Sequence, residues 1–142
     1  MTADGSGRGV PHLELWLDAV VGNVALVRHT LLAFAADGGA DGPLLGRVAL
    51  AVTEACANAA VHAYRDRAEP GPMLIQADIE EGDLEVLVVD EGCGLVPRHD
   101  SPGLGLGLAV IAESADAFAI REHEPGLEVW MSFALGREAP VA

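Results

Sequence analysis

The sequence predicts a two-layer α/β fold of the α+β type. Short apolar runs between turn signals predict five strands, and three segments with apolar residues at helical spacing predict three helices. Their order is strand, helix, helix, strand, strand, helix, strand, strand. Because like elements occur in blocks and do not alternate strictly, we expect a mixed, mostly antiparallel sheet with the helices on one face.

The elements of the first half are bounded by clear start and stop signals. His12–Asp18 alternates with period two and predicts a strand. A first helix covers about residues 22–36 and ends in a run of Asp, Gly and Gly. A second helix begins at Asp41, which is suited to cap it, with Pro43 in the first turn, and runs to about residue 64.

The second half contains two hairpins around one helix. Turn residues predict the hairpins, and proline and glycine punctuate the connection before the helix. In chain order the elements are strands at Met73–Ile79 and Leu84–Val89, a loop at Leu95–Pro102, a helix from Gly105 to about Ala115, and strands at Phe118–Glu122 and Leu127–Phe133.

Length and composition indicate one globular domain of 142 residues, 51% of them hydrophobic and 21% charged. We place this domain at residues 10–138, after a polar, glycine-rich tail at 1–9 that we expect to be flexible. The tail lacks the apolar core of a signal peptide, and no uninterrupted apolar run approaches the roughly 18 residues of a membrane span. We expect a soluble, cytoplasmic protein with Cys56 and Cys93 reduced.

Charge excludes several functions. The net charge is −14, and it divides into −3 over residues 1–71 and −11 over residues 72–142. Such a surface repels nucleic acid. All eight basic residues are arginine, so the chain cannot form a phosphate-binding loop of the Gly-Lys-Ser/Thr type, a protein-kinase strand lysine or a Schiff base.

The second helix has an apolar side and a polar side. The apolar stripe, expected to pack on the sheet, comprises Leu45, Val48, Val52, Cys56, Ala59 and Ala63. The polar side comprises Arg47, Glu54, Asn58, His62 and Arg65. Glu54 and Asn58 are four residues apart and therefore share a face, where they could provide a base and a Mg²⁺ ligand. A solvated helix face is the ordinary alternative.

Two glycine clusters follow. Asp90 ends a very apolar strand, and Gly92 and Gly94 follow it, so a carboxylate could be fixed there to accept from the amine of adenine. In Gly103-Leu104-Gly105-Leu106-Gly107, free N–H groups at a helix start could bind phosphate. Ordinary turns and a flexible loop are the alternatives. Trp16 and Trp130 are expected in the core.

The three clusters, in this order, resemble the N, G1 and G2 boxes of the GHKL ATPases. Glu54 to Tyr64 is most similar to the N box of bacterial anti-sigma factor serine kinases. The resemblance extends over about residues 12–135 and implies a Bergerat fold that binds ATP and Mg²⁺. It also implies phosphorylation of a serine on an anti-sigma factor antagonist, sequestration of a sigma factor, and a homodimer.

Transferred by position, the resemblance implies a role for each matching residue. Glu54 would be the general base, Asn58 the Mg²⁺ ligand and Asp90 the adenine acceptor. Gly92 and Gly94 would shape the purine pocket, and residues 103–107 would close on the phosphates. Arg98, the only arginine of the Leu95–Pro102 loop, could neutralise γ-phosphate charge, although an exposed solubilising arginine is the alternative. Ala57 departs from the threonine common in these kinases.

Three alternatives to a serine kinase stay open from the sequence. A detached histidine kinase catalytic domain would share the ATP site, but the eight-residue loop at Leu95–Pro102 is shorter than the lids usual in sensor kinases. An ATP-responsive regulatory module could bind a partner without phosphorylating it, although pure binding does not need the base Glu54. The three motifs could also be coincidental in an unrelated globular domain.

Overall fold

The computed structural model of the protein describes residues 10–64, 67–92, 102–122 and 126–136, with only the backbone of 102–106. The strands are β1 (His12–Asp18), β2 (Pro72–Glu80), β3 (Asp83–Asp90), β4 (Ala117–Glu122) and β5 (Leu127–Ala134). The helices are α1 (Val21–Asp37), α2 (Gly42–Asn58) and α3 (Pro102–Ser114), and a π-helical turn at Ala59–Ala63 continues α2.

The five strands form one sheet in the order β1-β2-β3-β5-β4, and all four pairings are antiparallel. Residues on one face of the three central strands are almost completely buried: Met73, Ile75, Ala77, Leu84, Val86, Val88, Val129, Met131 and Phe133. The side chains between them, on the other face, are only partly buried. One covered face and one open face confirm the predicted two-layer α+β fold.

The predicted elements are confirmed, with differences of one to three residues at their ends. The Asp41 carboxylate caps α2 by accepting from the Leu44 N–H at 2.9 Å. In the β2–β3 hairpin, Glu81 and Gly82 both have positive φ, 52° and 82°, as a tight two-residue turn requires. The predicted apolar stripe of α2 is buried at Val48, Val52 and Cys56, together with both alanines of the π turn that belong to it.

Two helix boundaries differ from the prediction. The second helix does not continue regularly to residue 64, because its last turn, Ala59–Ala63, is π-helical. The third helix begins at Pro102 and not at Gly105. A proline is favourable in a first helical turn, since its fixed φ suits the helix and its missing N–H would have no intrahelical partner. The glycines at 103, 105 and 107 therefore lie inside α3.

The expectation that both tryptophans are core residues is wrong. Trp16 is 60% exposed, and Trp130 lies outside the core cluster. Strand alternation places Leu13, Leu15 and Leu17 of β1 on the face that packs against the core, so Trp16 lies on the other face. Trp130 is half-buried on the same open face of the sheet, where its indole N–H donates to the Glu85 carboxylate at 3.0 Å. The period-two pattern already places each tryptophan on the face with the polar residues of its strand, such as Glu14 in β1 and Glu128 in β5, so the core expectation followed residue type and not the alternation.

The continuous helix Gly42–Ala63 is long and apolar enough to cross a membrane, with a mean hydropathy of 1.4 over its most apolar 18 residues. Sequence inspection, which looked for uninterrupted apolar runs, missed it because Arg47 and Glu54 interrupt the helix. In the structure this segment contacts α1, α3 and the sheet, and its apolar stripe belongs to the main core. Its hydropathy is therefore that of a central core helix.

Burial of Cys56 predicts a pH dependence of stability. Burial raises the pKa of the Cys56 thiol from its ordinary 9.0 to about 12. Above pH 9 the unfolded chain loses this proton while the folded chain keeps it, so the free energy of unfolding decreases by about 1.4 kcal/mol per pH unit. The stabilisation is complete below pH 9 and is lost as the pH rises towards 12.

Urea unfolding of wild type and Cys56→Ala at pH 8, 9 and 10 measures this effect. We expect the free energy of unfolding of the wild type to decrease more steeply than that of the variant between pH 9 and 10. The comparison ends at pH 10, because burial also raises the pKa of Tyr64 above 10.0 and adds a second titration at higher pH. Parallel pH profiles would show that Cys56 does not cause the dependence.

Candidate functional site

The polar face of α2 presents Glu54 and Asn58 on the side where α3 packs. Asn58 is 9% exposed, and within the described part of the chain no hydrogen-bond partner lies near its side-chain nitrogen. A buried amide without a partner is unfavourable by about 1–3 kcal/mol in a folded protein. Because the oxygen and nitrogen of an amide can exchange places by a flip, either atom could face a ligand here. The unsatisfied nitrogen makes Asn58 a candidate binding residue.

Gly107 of α3 faces these two side chains directly. A Cβ atom at this position would lie 3.0 Å from Glu54 Oε2 and 3.5 Å from Asn58 Oδ1. The absence of a side chain at 107 therefore lets α3 approach the carboxylate and the amide. At the other end of α3, Arg47 of α2 donates to the Ser114 carbonyl at 3.2 Å. The two helices are thus antiparallel, and the N-terminal half of α3 lies beside the C-terminal half of α2.

This arrangement brings the positive end of the α3 dipole to the Glu54–Asn58 side of α2. The first turn of α3 has N–H groups without intrahelical partners, and these groups attract anions. A phosphate chain at the start of α3 would therefore lie on the side of α2 that presents Glu54 and Asn58. An amide oxygen and phosphate oxygens are ligands that Mg²⁺ accepts, since this cation usually keeps several waters and few protein ligands.

Asp90 ends β3 as a buried carboxylate, 6% exposed. Its Oδ1 atom accepts from the Gly92 N–H at 3.0 Å, which fixes the start of the turn after the strand. Gly92 is packed against the end of the π turn, where a Cβ atom would lie 2.0 Å from the Ala63 carbonyl oxygen. Only glycine fits there, and the backbone after Asp90 consequently rests on the continuation of α2.

Gly126, just before β5, approaches the same strand end from the other side. Its φ is 109°, and a Cβ atom would lie 2.0 Å from the Asp90 carbonyl oxygen. The position therefore requires glycine for both conformation and space. Asp90 and its turn are enclosed between the π turn and the start of β5.

The structure places the described residues of the three predicted clusters in two groups along one helix. Glu54, Asn58 and Gly107 form one group. In the other, Gly92, two residues after Asp90, packs against Ala63 at the end of the same helix. Gly103, Leu104, Gly105 and Leu106 lie in the first turns of α3, of which only the backbone is described. Gly94 and Arg98, with most of the predicted loop, lie outside the described residues.

Sequence reasoning missed three residues that shape the site: Ala63, Tyr64 and Gly126. The Tyr64 hydroxyl donates to the Pro72 carbonyl and accepts from the Glu91 N–H. A tyrosine at the end of an alanine-rich helix was a usable signal, because its hydroxyl needs a partner when it is buried. For Gly126, the Glu-Pro-Gly turn before β5 gave no indication that the glycine touches Asp90.

The profile of the histidine kinase-like ATPase domain matches residues 17–133, which include all of the candidate site. The chain belongs to the histidine kinase-like ATPase family. Among curated proteins, it is similar to the serine-protein kinase RsbW of Bacillus velezensis, with 35% identity, 91% of this chain and 89% of the relative being covered. The serine-protein kinase RsbW of Bacillus subtilis is 30% identical, with coverage of 89% and 88%.

Solved structures show the same fold. A crystal structure of the RsbU and RsbW domains of a Mycobacterium tuberculosis protein superposes with a TM-score of 0.73 at 24% identity. It covers 93% of this chain, which in turn spans 34% of that longer chain. The histidine kinase domain of a blue-light activated histidine kinase from Erythrobacter litoralis gives a TM-score of 0.58 at 23% identity, covering 84% and 62%.

Proposed function

We propose that this protein is an ATP-dependent serine protein kinase that phosphorylates an anti-sigma factor antagonist and sequesters a sigma factor. The observation that carries the proposal is the group formed by Glu54, Asn58 and Gly107. In it, a carboxylate and a buried amide face the N-terminal half of a glycine-rich helix, and the amide nitrogen has no hydrogen-bond partner among the described residues. Similarity to serine-protein kinases over about nine-tenths of the chain supports the choice of reaction.

ATP and Mg²⁺ are the proposed ligands. Asn58 would bind Mg²⁺, and the N–H groups of Gly103–Gly107 would bind the phosphates with help from the helix dipole. The Asp90 carboxylate would accept from the exocyclic amine of adenine, which guanine replaces with a carbonyl. Gly92 and Gly94 would form the wall of the purine pocket. Mg²⁺ bound in this way would neutralise charge on the phosphate oxygens.

Glu54 is the proposed general base. The serine hydroxyl of the antagonist would transfer its proton to the Glu54 carboxylate as the serine oxygen attacks the γ-phosphorus. The bond between the γ-phosphorus and the bridging oxygen then breaks, and ADP leaves with that oxygen. Arg98 could stabilise the transferring group, and this role stays a prediction because the residue lies outside the described part of the chain.

The remaining expectations follow from the family and from charge. We propose a cytoplasmic homodimer that does not bind nucleic acid or membranes. The net charge of −14 disfavours contact with phosphate backbones and anionic lipid surfaces and is compatible with a basic protein partner.

Phosphotransfer to a defined acceptor tests the proposed function. Purified protein is incubated with γ-labelled ATP, Mg²⁺ and each candidate anti-sigma factor antagonist of the source organism, with the acceptor serine replaced by alanine as the control. We expect label on the serine form only, and none without Mg²⁺. ATP binding without labelling of any antagonist would favour the regulatory module, and label on a histidine would favour a histidine kinase. Absence of ATP binding would reject the proposal.

A further inference from the structure

Tyr64 connects three segments of the chain around the candidate nucleotide site. It follows the π turn directly, its hydroxyl donates to the Pro72 carbonyl at the start of β2, and it accepts from the Glu91 N–H at 2.7 Å. The residue is only 5% exposed. A single hydroxyl therefore holds the end of the α2 segment against both the beginning of β2 and the turn that leaves β3.

Arg67 holds the other side of Glu91. Its guanidinium lies 5.0 Å from the centre of the Tyr64 ring and donates to the Glu91 carbonyl at 3.3 Å. The N–H and the carbonyl of Glu91 are thus both bound, the first by Tyr64 and the second by Arg67. Glu91 itself is exposed, so these backbone contacts, and not burial of its side chain, fix its position.

The residue held in this way directly follows Asp90. The Glu91 N–H belongs to the peptide unit that leaves Asp90, and the next N–H, that of Gly92, donates to the Asp90 carboxylate. Rotation of this peptide unit would move the turn that orients the carboxylate. The Tyr64 hydroxyl therefore restrains the geometry of Asp90 through the backbone of Glu91.

We infer that Tyr64, supported by Arg67, is a positioning residue for adenine recognition, because its hydroxyl bridges Pro72 and Glu91 and fixes the turn that orients Asp90. This inference rests on the proposed function, in which Asp90 reads the adenine amine. The ring and the hydroxyl have separable roles. The ring fills space beside Gly71, where a Cβ atom would lie 2.2 Å from it, and only the hydroxyl reaches the turn.

Tyr64→Phe removes the hydroxyl and keeps the ring. Titration calorimetry with ATP and GTP, at a temperature where every variant is folded, gives two quantities: the ATP affinity and the ATP-to-GTP preference. We expect Tyr64→Phe to bind ATP roughly tenfold more weakly, as loss of a partner for a buried polar group predicts, and to discriminate less between the bases. General destabilisation would lower the melting temperature without changing the base preference.

Two further variants make the test decisive. Trp130→Phe removes a side-chain donor on the open face of the sheet, where Trp130 pairs with Glu85, and should leave ATP binding and base preference unchanged. Arg67→Gln alters an exposed residue and should weaken ATP binding by a smaller factor than Tyr64→Phe does. If Tyr64→Phe does not fold, the ATP affinity and base preference of Arg67→Gln test the positioning role.

The failures are distinguishable. A wild type that prefers ATP, with Tyr64→Phe and Arg67→Gln matching it in affinity and base preference, would overturn the positioning role alone. A wild type that binds no ATP, or does not distinguish ATP from GTP, would overturn the proposed reading of adenine by Asp90 and the role of Tyr64 with it.

Discussion

Glu54→Gln is expected to retain ATP binding and to slow phosphotransfer to the antagonist by a factor of about 10²–10⁴, the usual contribution of a positioned base. The glutamine has the shape of the glutamate, so it preserves the close approach of Gly107. A Cβ atom added at Gly107 would lie 3.0 Å from Glu54 Oε2. Only the ability to take a proton from the serine hydroxyl is removed. ATP affinity rests on other groups and should change little.

Single-turnover transfer from γ-labelled ATP to the purified antagonist measures this rate, and calorimetry measures ATP affinity on the same preparations. Glu113→Gln is the matched control, because it makes the same substitution on an exposed position of α3. Glu113→Gln should phosphorylate the antagonist at the wild-type rate. Undiminished transfer by Glu54→Gln would reject Glu54 as the base, and loss of ATP binding would instead make it a binding residue.

Asp90→Asn is expected to weaken ATP binding at least about tenfold while the fold survives, because a charged acceptor is lost from a buried site. Asp90 Oδ1 accepts from the Gly92 N–H at 3.0 Å, and an asparagine oxygen can keep this bond. The amide nitrogen would then present donors where the carboxylate presents an acceptor to the adenine amine. Donor would face donor, and the preference for adenine should decrease.

Calorimetric titration with ATP and GTP at constant Mg²⁺ tests this substitution. Asp78→Asn is a suitable control, because it makes the same change on the open face of the sheet, where Asp78 pairs with His12 at 2.5 Å. We expect wild-type ATP affinity for Asp78→Asn. Equal ATP affinity of Asp90→Asn and wild type, or a preference of the wild type for GTP, would contradict the assignment of Asp90.

The sequence was sufficient for the fold class and for naming most residues of the candidate site, whose roles stay predictions. Strand and helix periodicity, the Asp41 cap and the turn residues are local signals, and local signals predict the existence and order of elements well. The motif residues were also readable, because Glu54 and Asn58 share a helical face by spacing alone. Their meeting with Gly107, fifty residues along the chain, could only be inferred from the family resemblance.

Tertiary structure decided the features that depend on contacts between distant segments. The π turn after Asn58 follows from no local pattern in the sequence. The contacts of Tyr64 with Pro72 and Glu91, and of Gly126 with Asp90, join segments that are adjacent only once the sheet has formed.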